Sequence, residues 1–304
     1  MSFEQNLYLY VNKYTYNINI QYITNMSEVS QLPKEIYRSY ICAHANLPPV
    51  ESTHQFVDEL VMFLFPLKSN RTVSLKSLQK ELRRLRFRLS ELLYPMHADS
   101  ESEVTEVVDA FFNRLPEVYK MMLEDANAFL ESDPSAKGIE EIIMSFPGFY
   151  AISVYRIAHE LQMLKIPLLP RIMSEYIHGK TGIDIHPAAL IGRNFFIDHG
   201  TGVVIGETTE IGNNVKIYQG VTLGAVFVER GLRDQKRHPS IQDNVIIYAG
   251  STILGGKTVI GRGSIIGGNV WLTESVEPFS MVYHKPQIVI RDKKDFVEPI
   301  NYYI

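Results

Sequence analysis

The run DIHPAALIGRNFFI, from Asp184 to Ile197, carries an isoleucine at 185, 191 and 197, one every six residues. The spacing returns as Ile205, Ile211, Ile217 and Leu223, as Ile241, Ile247 and Ile253, and as Ile260, Ile266 and Leu272. A helix would scatter these side chains around a cylinder, and an ordinary strand would need apolar residues where the chain has Gly, Asn, Asp, Thr and Lys. A six-residue repeat fits one side of a three-sided coil of short parallel strands, each aliphatic residue pointing inward and stacking on its counterpart one coil away. At three sides per coil, one coil takes about 18 residues, which stacks Gly202 over Asp184. Gly192, Gly206, Gly212, Gly261 and Gly267 follow inward residues, as expected where the backbone bends and a bulky side chain is costly. The fold class is α+β: a mainly helical domain over 1–182, a parallel β-helix over 183–290 and a tail over 291–304.

The 304 residues, 45% hydrophobic and 21% charged, suffice for two domains with a real core. A net charge of -4 without a long basic block argues against nucleic acid or an acidic membrane surface as partner. A single cysteine, Cys42, excludes an intrachain disulfide and a cysteine-rich metal knuckle and fits a reducing compartment. The start MSFEQNLYLYVNKY lacks a basic, then apolar, leader, and no window approaches a membrane span. The expected location is cytoplasmic.

Residues 1–30, with partial alternation from Tyr14 to Ile23, predict an edge strand or extended arm. From Leu32 the character turns helical. Leu75, Leu78, Leu82, Leu85, Leu89 and Leu92 fall at spacings of three and four, opposite Lys80, Arg83, Arg84 and Arg86, the pattern of an amphipathic helix with a solvated basic face. Asp133-Pro134 reads locally as a helix start, Asp capping and Pro in the first turn. Further helices are expected over FYAISVYRIAHELQML and PLLPRIMSEYI, with Gly182 leading into the β-helix. Between Gly224 and Ser240 the charges of AVFVERGLRDQKRHP cannot face a narrow interior, so this segment loops out, where binding and catalysis often reside. After Leu272 the repeat fades into a polar tail.

Three motifs beside the repeat carry chemistry: Asp184-Ile185-His186-Pro187, Asp198-His199-Gly200-Thr201-Gly202 and Arg237-His238-Pro239. An acid, an imidazole and two glycines at one corner suit close approach of a ligand. His186, before a proline and without glycine neighbours, reads as a turn or surface residue.

DIHPAALIG, IDHGTGVVIGET, VTLG (Val221–Gly224) and RHP, together with YRIAH (Tyr155–His159) and the upstream Asp133-Pro134, resemble the ordered motifs of serine O-acetyltransferases. The resemblance is close over about residues 130–275. It implies a left-handed coil and acetyl transfer from acetyl-CoA, as co-substrate, to the hydroxyl of L-serine in cysteine biosynthesis. It assigns His199 as general base, which is worth about 10²- to 10⁴-fold, and Asp184 as the carboxylate that orients it. Asp133 and Asp198 would meet the amine of serine, Arg237 its carboxylate and His238 would assist. Gly224, Ala249 and Gly268 would line the pantetheine arm. The family further implies sites between subunits of a trimer or dimer of trimers (a hexamer), L-cysteine as a feedback inhibitor, and insertion of the C-terminal Ile304 into cysteine synthase. Because Cys42 lies in the helical half, transfer is expected to be direct, with no cysteinyl acyl-enzyme.

This chain departs from the familiar bacterial pattern in Ala225 after VTLG, in a longer loop before Arg237, and in VYHKPQ from Val282. Three other readings compete. One is transfer to a sugar or xenobiotic hydroxyl, against which Asp133, Arg237 and the helical domain argue. Another is a zinc-dependent β-helix protein that holds the metal between subunits through His186, His199 and His238; the serine-transfer reading expects no metal. The third is a purely structural assembly protein.

Overall fold

The computed structural model describes residues 28–38, 47–68, 74–96, 101–226 and 235–285. The chain divides into two compact units, Met1–Leu47 and Pro48–Ile304. In the first, helix α1 spans Glu28–Ile36; the arm or strand expected before it, like Cys42, lies outside the described residues. The second unit opens with α2 (Val50–Leu64), α3 (Leu75–Leu93), α4 (Glu101–Ser132), α5 (Ile139–Ser145), α6 (Pro147–Met163) and α7 (Leu169–Thr181), and then turns entirely to two- and three-residue strands.

In α3 the leucine stripe is buried only in its C-terminal part, at Leu85, Leu89 and Leu92, while Leu75 is 74% exposed. The periodicity marked the face correctly, but its first turn extends beyond the packing neighbours. Opposite, Arg84 pairs with Glu59 at 3.1 Å and Glu81 at 2.5 Å, and Arg86 pairs with Asp109, so the basic face is partly neutralised within the fold. Helix α7 ends at Gly182, whose φ of 70° is the left-handed cap that glycine adopts without steric cost.

Strands β1 (Asp184–Ile185), β4 (Val204–Ile205), β7 (Thr222–Gly224), β10 (Thr252–Leu254) and β13 (Trp271–Leu272) make one parallel sheet, here sheet A. Sheet B holds β2 (Leu190–Ile191), β5 (Glu210–Ile211), β8 (Ser240–Ile241) and β11 (Val259–Ile260). Sheet C holds β3 (Phe196–Ile197), β6 (Lys216–Ile217), β9 (Ile246–Ile247), β12 (Ile265–Ile266) and β14 (Met281–Val282). The chain visits A, B and C in turn, a parallel β-helix, and the aliphatic positions read from the repeat are buried, with Leu272 partly so.

The coils are not uniform. Asp184 pairs with Val204, 20 residues on, not with Gly202; the corner at Asp198–Gly202 holds two residues more than the 18-residue coil that next pairs Val204 with Thr222. Across the ejected segment Ile211 pairs with Ile241, 30 residues on, so the loop adds twelve residues without disturbing the register. The repeat also continues past Leu272, since Val282 pairs with Ile266 in a shortened final coil. The glycines after inward residues serve close packing more than bending: none of the five has positive φ, and a Cβ at Gly212 would lie 2.3 Å from Asp243 Oδ1.

A β-helix leaves the carbonyls of its first coil without a preceding coil to pair with, and a buried unpaired carbonyl is costly. Helix α6 covers them through YRIAH. The Tyr155 hydroxyl donates to the Ala189 carbonyl at 2.5 Å, Arg156 to those of Gly192 at 2.8 Å and Ile191 at 3.4 Å, and His159 Nδ1 to that of Pro187 at 2.8 Å. Ser174 on α7 adds a bond of 2.9 Å to the Ile185 carbonyl. Buried Arg156 is held by a bidentate pair with buried Asp125, at 2.5 and 2.8 Å, and Asp125 also accepts the Phe195 N–H at 3.0 Å. Phe129, edge-on to both Phe149 and Phe196, closes the packing between α4, α6 and β3.

Candidate active site

The corner joining sheet C to sheet A, Asp198–Val203, is held by backbone geometry. Ile197 is inward and buried, so Asp198 and His199 emerge from the wall directly after it. His199 adopts φ 55°, Gly200 φ 85° and Gly202 φ 79°, and the Gly200 N–H donates to the Asp198 carbonyl two residues back at 2.5 Å. A tight turn with a non-glycine residue at positive φ is strained by about 1–3 kcal/mol and persists only where neighbours enforce it. Gly200 is obligatory here, since a Cβ would fall 2.4 Å from Ile183 Cδ1. The strain presents the imidazole outward: the His199 side chain is 73% exposed, with Nε2 3.7 Å from Asp198 Oδ1.

Tyr218 stands one coil above Asp198, because Ile217 pairs with Ile197. Its ring stacks on Tyr248 at 5.0 Å and meets Phe196 edge-on at 6.3 Å. Burial, then the neighbouring Tyr248, Asp198 and Asp133, push its phenol up, which puts both acids in one neighbourhood. Asp133 is not a helix cap: α5 starts only at Ile139. Its Oδ1 instead accepts the Ser135 N–H at 2.8 Å and hydroxyl at 2.7 Å, closing an Asx turn after α4. Asp198 and His199 thus stand together at this corner, and Asp133, on the turn after α4, is close enough to act on the same phenol.

The second group lies at the corner joining sheet A to sheet B. A cavity of about 770 Å³ is lined by Asp184, His186, Glu207, Arg237 and His238, with Arg171 from α7. The ejected loop rejoins the wall here. His238 lies on Gly206, where a Cβ would sit 2.1 Å from the ring. Its Nδ1 accepts the Thr208 N–H at 3.0 Å and faces the Thr208 hydroxyl at 2.9 Å, so the proton of the neutral ring is on Nε2. Burial first, and then the cationic Arg237, push the His238 imidazole down to about 4. Arg237 pairs with Glu207; burial pushes that carboxyl up, but the Arg237 hydrogen bond and the nearby His186, Arg237 and His238 outweigh it and hold it below the usual range.

His186, read from sequence as a turn or surface residue, is half-buried in this group. Its Nδ1 accepts the Ala188 N–H at 3.1 Å, and burial lowers its basicity. The following proline sets the turn and the ring faces the cavity, which sequence spacing does not show. Arg171 and Glu207 were also missed; only the position of Glu207, just after Gly206, hinted at its place. Asp184 lies in this second group, with ligand atoms of Glu175 and His178 within 4.8 Å of its own, and forms no ion pair with His199 among the described residues. The three histidines of the zinc reading are likewise divided: His186 and His238 share the cavity and His199 stands at the other corner.

The small residues expected along a cofactor arm divide in the same way. Ala249 and Gly268 follow the sheet C strands one coil apart, where the Asn269 N–H donates to the Ala249 carbonyl at 2.9 Å and a Cβ on Gly268 would rest 3.3 Å from it. Gly224 ends β7 on sheet A, and its carbonyl accepts the Gly255 N–H at 3.0 Å.

The parallel β-helix thus offers an exposed imidazole at one corner and an arginine held by Glu207 at another. Residues 68–154 match the family model described as "Serine acetyltransferase, N-terminal". The chain is 52% identical over 183 residues to a plasmid-encoded serine acetyltransferase of Synechococcus elongatus, covering 59% of this chain and 57% of that protein. It is 44% identical over 185 residues to the serine acetyltransferase of Bacillus subtilis, covering 60% of this chain and 83% of that one. Its fold is similar to that of Entamoeba histolytica serine acetyltransferase isoform 3 in complex with cysteine, with a TM-score of 0.70 and 30% identity over 87% of this chain and 95% of that one. The chain belongs to the serine acetyltransferase family. Among its described residues no helix is long and apolar enough to cross a membrane.

Proposed function

We propose that this chain transfers the acetyl group of acetyl-CoA to the hydroxyl of L-serine, giving O-acetyl-L-serine and CoA, and that each site is built between two copies of the chain. The observation that carries the reading is the division of charge. Asp198 and His199 lie at one corner of the wall, with Asp133 acting on the same phenol as Asp198, and Arg237 and His238 lie at another corner. A zwitterionic acceptor that carries its ammonium, carboxylate and hydroxymethyl on one carbon needs carboxylates, a cation and a base close together. One copy supplies the carboxylates that meet the ammonium together with the imidazole, and Asp184 in the adjacent coil to orient the ring; its neighbour supplies the arginine fork for the carboxylate. Ala249 and Gly268 of one copy and Gly224 of the other flank the pantetheine arm in the same cleft.

In the reaction His199 takes the proton from the serine hydroxyl as its oxygen attacks the acetyl carbonyl. The new C–O bond forms, the C–S bond breaks, and the imidazolium returns the proton to the departing thiolate. Transfer is direct, without an acyl-enzyme. His238, neutral and carrying its proton on Nε2, donates a hydrogen bond at the carboxylate end without adding charge. The reading extends to a helical domain over 1–182, a left-handed β-helix over 183–290 and a tail over 291–304. It also includes a trimer or dimer of trimers in the cytoplasm, with L-cysteine competing at the serine pocket, as the cysteine-bound Entamoeba relative suggests. Ile304, outside the described residues, is the proposed contact with cysteine synthase. The test is thiol release from acetyl-CoA with L-serine, D-serine, homoserine, a galactoside or chloramphenicol as acceptor. Strong release with L-serine alone is expected, and an equal response to a sugar or chloramphenicol would overturn the assignment.

A further inference from the structure

We propose that the turn Gly206-Glu207-Thr208 is a dock that positions Arg237 and His238, with Thr208 as its central positioning residue. The proposal rests on the reading that Arg237 and His238 receive the acceptor carboxylate. Arg237 and His238 end a long ejected segment, and a charged pair at a loop end recognises a small anion poorly unless something fixes it.

All three residues of the dock contribute by different means. Gly206 leaves the space in which the imidazole of His238 lies, its missing Cβ falling 2.1 Å from ring Cδ2 and 2.2 Å from Nε2. Glu207 holds the Arg237 guanidinium. The Thr208 hydroxyl oxygen accepts the backbone N–H of Arg237 at 2.9 Å and of His238 at 3.1 Å. With two N–H donors already on that oxygen, its own proton goes to His238 Nδ1 at 2.9 Å. The Thr208 N–H donates to the same nitrogen at 3.0 Å, and its carbonyl accepts Lys236 Nζ at 2.6 Å. One threonine therefore fastens three consecutive residues of the returning loop and fixes which imidazole nitrogen carries the proton. Its side chain acts through Arg237 and His238.

Thr208→Val keeps the shape and removes the hydroxyl; Thr208→Ser keeps the hydroxyl. Loss of these bonds is expected to raise the KM for serine about tenfold, with the KM for acetyl-CoA within about twofold, and Thr208→Ser is expected to restore serine binding. The second readout needs no activity: tryptic cleavage after Lys236 and Arg237 is expected to quicken severalfold in Thr208→Val and to stay slow in Thr208→Ser. An unchanged serine KM with unchanged cleavage would overturn the dock. A parallel rise in both KM values without rescue by serine would do the same, because it would mark general damage to the fold. If the unmodified chain fails to acetylate serine, the proposed function falls, while the cleavage rates still judge the dock.

Discussion

Placing the two halves of each site on different copies has a consequence that a single-chain site cannot imitate. His199→Ala removes the imidazole from one edge, and Arg237→Ala removes the guanidinium from the other. By itself the first is expected to lower kcat by about 10²- to 10⁴-fold. The second deletes a charge-assisted partner of the serine carboxylate, a loss of about 2–5 kcal/mol in acceptor binding. In a cyclic trimer formed at random from equal amounts of the two variants, a site is intact when its first edge comes from an Arg237→Ala chain and its second from a His199→Ala chain. Each choice has a probability of one half, so about one site in four is complete. Co-expression with two different tags, isolation of the mixed trimers, in each of which one site of three is complete, and measurement of thiol release per chain should recover roughly a third of the unmodified rate, at least tenfold above either parent. Activity equal to the mean of the two parents, with mixed species demonstrated by both tags, would refute the reasoning and return the whole site to one chain.

Arg156→Met leaves buried Asp125 without its partner and uncovers the Ile191 and Gly192 carbonyls, so a loss of about 3–5 kcal/mol in denaturant unfolding is expected; a loss below about 1 kcal/mol would contradict the role assigned to this helix as a cover for the first coil. His238 titrates at about 4 when folded against about 6.5 unfolded, so between these values the unfolded chain binds the extra proton. That part of the stability is complete above about pH 6.5 and falls as the pH drops toward 4, and His186 acts in the same direction. His238→Gln should show a smaller drop in urea midpoint between about pH 7 and pH 5 than the unmodified chain; an equal drop would mean that His238 is not the group concerned.

The six-residue repeat made the β-helix legible because an inward side chain in a coil depends on its own position and on little else. Ile185, Ile205 and Leu223 could be assigned to a wall without knowledge of any neighbour. Helices α3, α4, α6 and α7 were legible for a similar local reason, unlike α5, and so was the chemical character of the Asp198-His199 and Arg237-His238 corners. The eight-residue step from Ile197 to Ile205 was legible, but not that its two extra residues form a strained turn with Ile183 packed under Gly200. Nor was the place of His186, whose ring direction is set by a turn closed on Ala188.

What the sequence by itself determined is the wall, the order of its motifs and the family they resemble, because period and motif are properties of neighbours along the chain. Tertiary structure alone decided how those motifs are grouped. It brought Glu207 and Thr208 to Arg237 and His238 across thirty residues of sequence, and set Asp184 on the cavity one residue after Ile183, which packs under Gly200 of the His199 corner. Such groupings depend on coil register and on where an ejected loop rejoins the wall, and both are set by hydrogen bonds between coils, which no local stretch of sequence encodes.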